Sequence, residues 1–189
     1  MNQPDPKPVG VPPDTIVTVY QNPWFAVRRC GGMHWVSQGK RAGAVVIARR
    51  WQDGRIALLR HDRPTTVGRV VWELPRVGAL PGEALQDCAL REGREETGCR
   101  LRMIKSLGTL YPDTGILESC VGVFLVEASS MTSVDANPDL AERAAVRGLM
   151  WLQPRQLAWL LRSELIVDGF TVAAMGLFFQ TFPNRGVRP

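Results

Sequence analysis

The chain has 189 residues, 45% of them apolar and 22% charged, with a formal net charge of +5 and a pI near 9.4. That length allows one domain with a sizeable core and a small appendage, and the composition is ordinary for a soluble globular protein. The basic residues are scattered, so the charge suits attraction of polyanionic small molecules and is weak evidence for nucleic acid.

The first segment, MNQPDPKPVGVPPDT, is polar and proline-rich, with no basic stretch followed by an apolar one, and residues 1–14 read as a flexible arm rather than a signal peptide. From Ile16 to Val36 the runs TIVTVY, WFAVRRC and MHWV, with a turn at Gly31-Gly32, predict a small antiparallel meander, and residues 15–38 are taken as an N-terminal β subdomain. Gly39–Gly43 interrupts. AVVIARR then reads as a buried strand, and Asp53-Gly54 marks a hairpin into RIALLRHD. VVWELP is a further short strand ended by Pro75. The loop RVGALPGE leads into a helix over about Ala84–Thr97, and Gly98 stands where a left-handed C-cap would stop it.

LRMIKSLGTLY and CVGVFLVEA are strand candidates, followed by the polar stretch SSMTSVDANPDLAER and the strand GLMWL. PRQLAWLLRSE opens with Pro154 near a first helical position, and DGFTVAAMGLFFQTF predicts a last helix ended by Pro183. Strands, one helix, strands and two helices point to an α/β (α+β) fold, a mixed sheet sandwiched between helices, with residues 39–189 as the main domain. The longest uncharged run, Gly169–Asn184, falls short of the about 20 apolar residues that a membrane span needs. Cys30, Cys88, Cys99 and Cys120 are widely spaced and form no CxxC pair, as expected of reduced thiols in a cytoplasmic protein.

One stretch resists a purely structural explanation. In REGREETG, Glu92, Glu95 and Glu96 lie at i, i+3 and i+4, so a helix places all three on one face within a turn. Like charges at that spacing repel by about 0.2–0.5 kcal/mol per pair. A solvated face relieved by Arg91 and Arg94 is one explanation. A divalent cation seated among the acids is the other.

The longer stretch GALPGEALQDCALREGREETGC resembles the Nudix box of the Nudix hydrolases. Glu83 is followed by ALQDCAL and then by Arg91, Glu92, Gly93, Arg94, Glu95, Glu96, Thr97 and Gly98, with acids, arginine and glycine at the spacing of that pattern. Two positions depart. The first box glycine falls on Val77, and the aliphatic residue after Arg-Glu is Gly93. The second departure costs about 1 kcal/mol of helix propensity relative to alanine and removes a core side chain.

The resemblance implies a Nudix fold and a bound cation, Mg²⁺ with Mn²⁺ as the alternative, since hard cations take carboxylate and phosphate oxygens together. It implies Glu92 and Glu96 as principal ligands, Glu95 as an additional one and the backbone carbonyl of Arg76 as the last. Such an ion bridges a diphosphate, spreads transition-state charge and acidifies water. Arg91 is expected to orient the neighbouring carboxylates and Glu83 to hold the loop against the helix. Each is equally readable as a surface ion pair.

The flanks VYQNPWFAVRR, RAGAVVIARR, RIALLRHDRP, WELP and IVDGFTVAAMGL resemble the ADP-ribose pyrophosphatase branch. That likeness implies a homodimer through the N-terminal strands, with both subunits lining each site. It implies Arg63 and Arg41 as holders of the diphosphate or terminal ribose, an arginine fork being suited to phosphate. Trp35 is a candidate to stack on adenine, with a buried tryptophan of the small sheet as the alternative. YPDTGILES resembles the loop after the box, making Pro112 and Glu118 substrate-facing candidates, whereas Glu73 reads as structural.

The general base is expected on a loop before the last strand, where Glu142 is the one glutamate and Asp139 and Asp135 are alternatives. Glu95 or a hydroxide on the metal would serve if none closes. The expected reaction is metal-dependent cleavage of ADP-ribose, a GDP-sugar or another nucleoside diphosphate sugar. A nucleotide-binding module without turnover, or an RNA-end hydrolase, are the competing expectations. No membrane partner is expected, and no nucleic acid.

Overall fold

A computed structural model describes residues 15–38, 43–66, 69–80, 82–131 and 146–183. The chain divides into two compact units. The first holds the N-terminal sheet together with Asp113–Ser119, and the second holds the remainder from Arg41 onward. The proline-rich arm at 1–14 lies outside the described residues.

In the first unit, β1 (Val17–Gln21), β2 (Ala26–Cys30) and β3 (Met33–Ser37) form an antiparallel sheet in that order. Gly31 adopts φ 58°, the left-handed conformation that a tight hairpin between β2 and β3 requires. The segment Asp113–Ser119 docks on β3. Val36 donates its N–H to Ile116 O at 2.7 Å, and Glu118 donates to Val36 O at 3.0 Å. All five residues of β1 are exposed.

In the second unit, β4 (Gly43–Arg50), β5 (Ile56–Asp62), β8 (Cys99–Leu110), β9 (Val121–Met131) and β10 (Val146–Leu152) follow the order β10-β5-β4-β9-β8. Pairing is antiparallel except for β4 with β9, which run parallel from Gly43↔Val121 to Arg50↔Ala128. The hairpin partners β4 and β5 pair only at Arg49↔Ile56 and then splay. Two short strands occupy the gap, β6 (Val70–Glu73) on β5 and β7 (Arg76–Gly78) on β4.

The continuous apolar run of β4 is explained by cover on both faces. Val45 and Ile47 face a core with Leu58, Leu74, Val123 and Leu125, closed by Leu157 of α2 (Pro154–Arg162) and by Ala174, Met175 and Phe178 of α3 (Gly169–Thr181). Ala44, Val46 and Ala48 face the other core, with Cys88 and Ala89 of α1 (Leu85–Thr97) and with Leu101, Phe124 and Val126. A fully buried Leu or Ile contributes roughly 1.5–3 kcal/mol, so this two-sided burial dominates the stability of the unit. The mixed sheet between helices, with a separate small antiparallel sheet, is the architecture expected from the order of elements.

Helix ends follow local chemistry. Gly98 caps α1 at φ 66°, with its N–H on Arg94 O. Pro154 opens α2 inside a capping box made by Gln153 and Gln156, and Asp168 caps α3 by accepting from Thr171 N. All four cysteines are free thiols. Among the described residues no helix is long and apolar enough to cross a membrane.

Candidate active site

Helix α1 buries Cys88, Ala89, Glu92, Gly93 and Thr97, a stripe at helical spacing that carries one acid. Glu92 is thus drawn to the edge of the core at 7% exposure. A buried carboxylate needs a cation or hydrogen bonds, and Arg91 provides both. Its Nε and Nη2 donate to Glu83 Oε1 and Oε2 at 2.8 and 3.0 Å. Its Nη1 donates to Glu92 Oε1 and lies 3.5 Å from Glu95 Oε2. Glu83 in turn accepts from Leu80 N at 2.8 Å, tying the loop before α1 to the helix. The Arg91 fork holds the Glu83 carboxyl down at about 2, and the arginine itself is pushed above its ordinary range by the same bonds. Glu95 is one-third exposed, and the Oε2 atom of Glu96 is buried.

Gly93, one of the two departures from the box pattern, has its cost offset by packing. A Cβ there would stand 2.5 Å from Leu101 Cδ1 and 3.2 Å from Val46 Cγ1. Leu101 therefore fills the space of the missing aliphatic side chain. Val77, the other departure, packs its side chain against the α1-side core. Its carbonyl runs so close to β4 that a Cβ on Gly43 would lie 2.7 Å from Val77 O. The close approach that a glycine permits is made from the opposite strand.

Arg76, whose carbonyl was the expected backbone ligand, sits in β7 opposite Val45. Its guanidinium carbon lies 4.4 Å from the Phe170 ring centroid, and Nε lies 3.5 Å from Glu73 Oε2. Glu73 is 1% exposed and anchors a charged cluster. Its Oε1 accepts from Arg63 Nε and Nη2 at 3.0 and 2.6 Å and lies 2.5 Å from His61 Nδ1. Burial first, and then the Arg63 charge, push the His61 pKa down. The structure thus turns Arg63 inward onto Glu73. His61, absent from the sequence-based candidates, joins them because a buried acid in VVWELP draws in whatever cationic and imidazole groups the adjacent strand offers.

Trp35 and Glu118 are brought together in the first unit, where Trp35 Nε1 donates to Glu118 Oε2 at 3.3 Å and Arg28 Nη1 stands 3.8 Å from Glu118 Oε1. Both side chains remain accessible at the face of the small sheet. Arg41, Glu142, Asp139 and Asp135 lie outside the described residues. A cavity of about 300 Å³ in the second unit is lined by Arg50, Gln52, Asp53, Cys99, Ala128, Ser129 and Trp151, and includes none of the box acids.

Three carboxylates on one turn, two with buried oxygens, are a donor set that fits a hard divalent cation. Among the described residues no three acidic, imidazole or thiol groups already converge on one point, because Arg91 draws Glu92 and Glu95 towards its own guanidinium. The same guanidinium relieves their mutual repulsion.

Comparison with known proteins identifies the family. The model of the NUDIX domain matches residues 39–169. An ADP-ribose pyrophosphatase of Bacillus subtilis (strain 168) is 30% identical over 92 residues, covering 49% of this chain and 49% of that protein. The chain spans about half the length of the curated relative it matches. With the box acids, the Arg91 fork and the two-faced sheet in place, the chain belongs to the Nudix hydrolase family.

Proposed function

We propose that the protein hydrolyses the pyrophosphate bond of ADP-ribose, or of a closely similar nucleoside diphosphate sugar, to a nucleoside monophosphate and a sugar phosphate, with Mg²⁺ or Mn²⁺ as cofactor. The observation that carries the proposal is the Arg91-centred group of acids on α1, with Glu92 and a Glu96 oxygen buried. The name of the Bacillus relative supports the choice of substrate.

In this proposal Glu92, Glu96 and Glu95 hold the cation with the Arg76 carbonyl. When bound, the ion neutralises the diphosphate and acidifies the attacking water. Arg91 keeps the acids in register by anchoring on Glu83, and so limits their rotamer freedom before the ion arrives. Water attacks one phosphorus, its proton passes to a carboxylate, and the bridging oxygen leaves with the other phosphate. Glu142 is the proposed proton acceptor, and Glu95 the substitute. Arg63 and Arg41 are proposed to meet the diphosphate, which requires Arg63 to share its guanidinium between Glu73 and substrate. Trp35 and Glu118 are proposed contacts for the nucleoside. A homodimer through the N-terminal strands is proposed from the exposure of β1 on both faces, and a cytoplasmic location from the four free thiols.

The test is chromatographic. Purified protein with Mg²⁺ and ADP-ribose should release AMP, EDTA should abolish the release, and Glu96→Gln should reduce it by about 100-fold or more, beyond the 10–100-fold typical of groups that only support a ligand. Absence of turnover across a panel of nucleoside diphosphate sugars, GDP-sugars included, would end the proposal. The second reading is a nucleotide-binding module, favoured by the engagement of Glu92 and Glu95 with Arg91. Calorimetric binding of ADP-ribose with no products formed is its signature.

A further inference from the structure

The segment Leu74–Pro75–Arg76 joins the two short strands that fill the gap in the large sheet, and it is gripped from several sides. Pro75 O accepts from Val46 N at 2.8 Å. Leu74 N–H donates to the hydroxyl of Thr171, 97 residues further along the chain, at 2.9 Å. Thr171 is fully buried. Its hydroxyl donates to Asp168 Oδ2 at 2.7 Å, and the same carboxylate accepts from Thr171 N at 2.9 Å. A hydroxyl has one proton. With that proton committed to Asp168, its lone pairs are left for Leu74 N–H, and the rotor has one orientation. On the neighbouring residue, the Phe170 ring lies beneath the Arg76 guanidinium.

Strand β7 is only three residues long and pairs with β4 along one edge. So short a ladder leaves the peptide planes at its start dependent on what precedes them. The first turn of α3 supplies that support at two successive points, the Leu74 amide and the Arg76 side chain. We propose that Thr171, oriented by Asp168, and Phe170 are positioning residues that aim the Arg76 backbone carbonyl at the cation. This rests on the proposal above that the carbonyl belongs to the ligand set. The α3 contacts touch neither α1 nor its acids. They bear on the segment that carries the Arg76 carbonyl, whereas Arg91 and Glu83 bear on the carboxylates.

The experiment is calorimetric titration of the metal-free full chain with Mn²⁺, alongside thermal melting of each variant. Thr171→Val keeps the shape and removes the hydroxyl, and should weaken Mn²⁺ binding about 10-fold or more, the range expected when a ligand loses its support. Thr171→Ser keeps the hydroxyl but loses the methyl, and should hold affinity to within about threefold of wild type. Phe170→Leu leaves the Leu74 hydrogen bond intact and should weaken binding by a smaller factor, which keeps the proposal testable if Thr171→Val does not fold. Glu96→Gln is the control. If Glu96→Gln loses Mn²⁺ while folded Thr171→Val and Phe170→Leu bind it like wild type, the positioning role is overturned and the metal site stands. If Glu96→Gln binds Mn²⁺ like wild type, the metal site itself is overturned, and the positioning role with it.

Discussion

At the scale of single residues, the departures from the box pattern are informative because the structure gives each a partner. Gly93 removes a side chain, and Leu101 occupies its volume. Restoring the aliphatic residue should therefore harm the fold. Gly93→Leu is expected to destabilise by about 1–3 kcal/mol through overpacking, despite the better helix propensity of leucine. Combining it with Leu101→Ala should recover most of the loss. Urea denaturation of the two single variants and the double variant measures that coupling, and simple additivity would contradict it.

Glu83 gives a pH signature at the same scale. Its folded pKa, about 2, lies below the ordinary value of 4.5 because of the Arg91 fork. A depressed carboxyl stabilises the fold above its unfolded pKa and loses that contribution as pH falls through the folded one. Melting temperature should therefore fall between about pH 4.5 and 2. Glu83→Gln should lower stability at neutral pH and flatten that acid limb. Asp53, held at about 2 chiefly by its hydrogen bond with Arg50, leaves some of the slope in the variant.

At the scale of elements, the site depends on a sheet that does not zip up. β4 and β5 separate after Arg49↔Ile56, and β7 enters the gap with its backbone against Gly43. Gly43→Ala would place a methyl 2.7 Å from a carbonyl oxygen rather than against a flexible side chain. Since backbone cannot yield cheaply, the expected result is a loss of about 1–3 kcal/mol, with activity falling more than the folded fraction. Activity per folded molecule, read with circular dichroism on the same samples, checks this. Equal losses in both would show that β7 has no special part.

Much at this scale was legible beforehand. The run AVVIARR reads as a buried strand, as β4 is, and Gly98 predicts the end of α1 within a residue. The pairing of β4 with β9 in parallel, and the insertion of β6 and β7, were not legible. The β4–β9 and β4–β7 pairings join segments distant in the chain, and β7 is too short, Arg76–Gly78, to show a strand pattern inside what reads as a loop.

At the scale of the whole molecule, the +5 charge suits a diphosphate substrate, and among the described residues β1 is a strand exposed along its whole length. An edge with Val17, Val19 and Tyr20 in water is a template for pairing with another chain. If the proposed homodimer uses it, Val19→Lys should shift sedimentation from dimer to monomer at micromolar concentration without lowering the melting temperature by more than a few degrees. A wild-type chain that sediments as a monomer would remove the dimer from the proposal.

By itself the sequence determined the acids of α1, the arginine among them and the cap at Gly98, since helical spacing converts residue order directly into a shared face. It also carried the mixed sheet between helices, because the order of strands and helices leaves few ways to cover their apolar faces. Only the tertiary structure decided that Arg63 turns onto Glu73, that Leu101 fills the place left at Gly93, and that Thr171 reaches back to Leu74. Thr171 and Leu74 stand 97 residues apart, and even the nearer pairs meet only through strand register and the volume left by neighbouring side chains, neither of which any local pattern encodes.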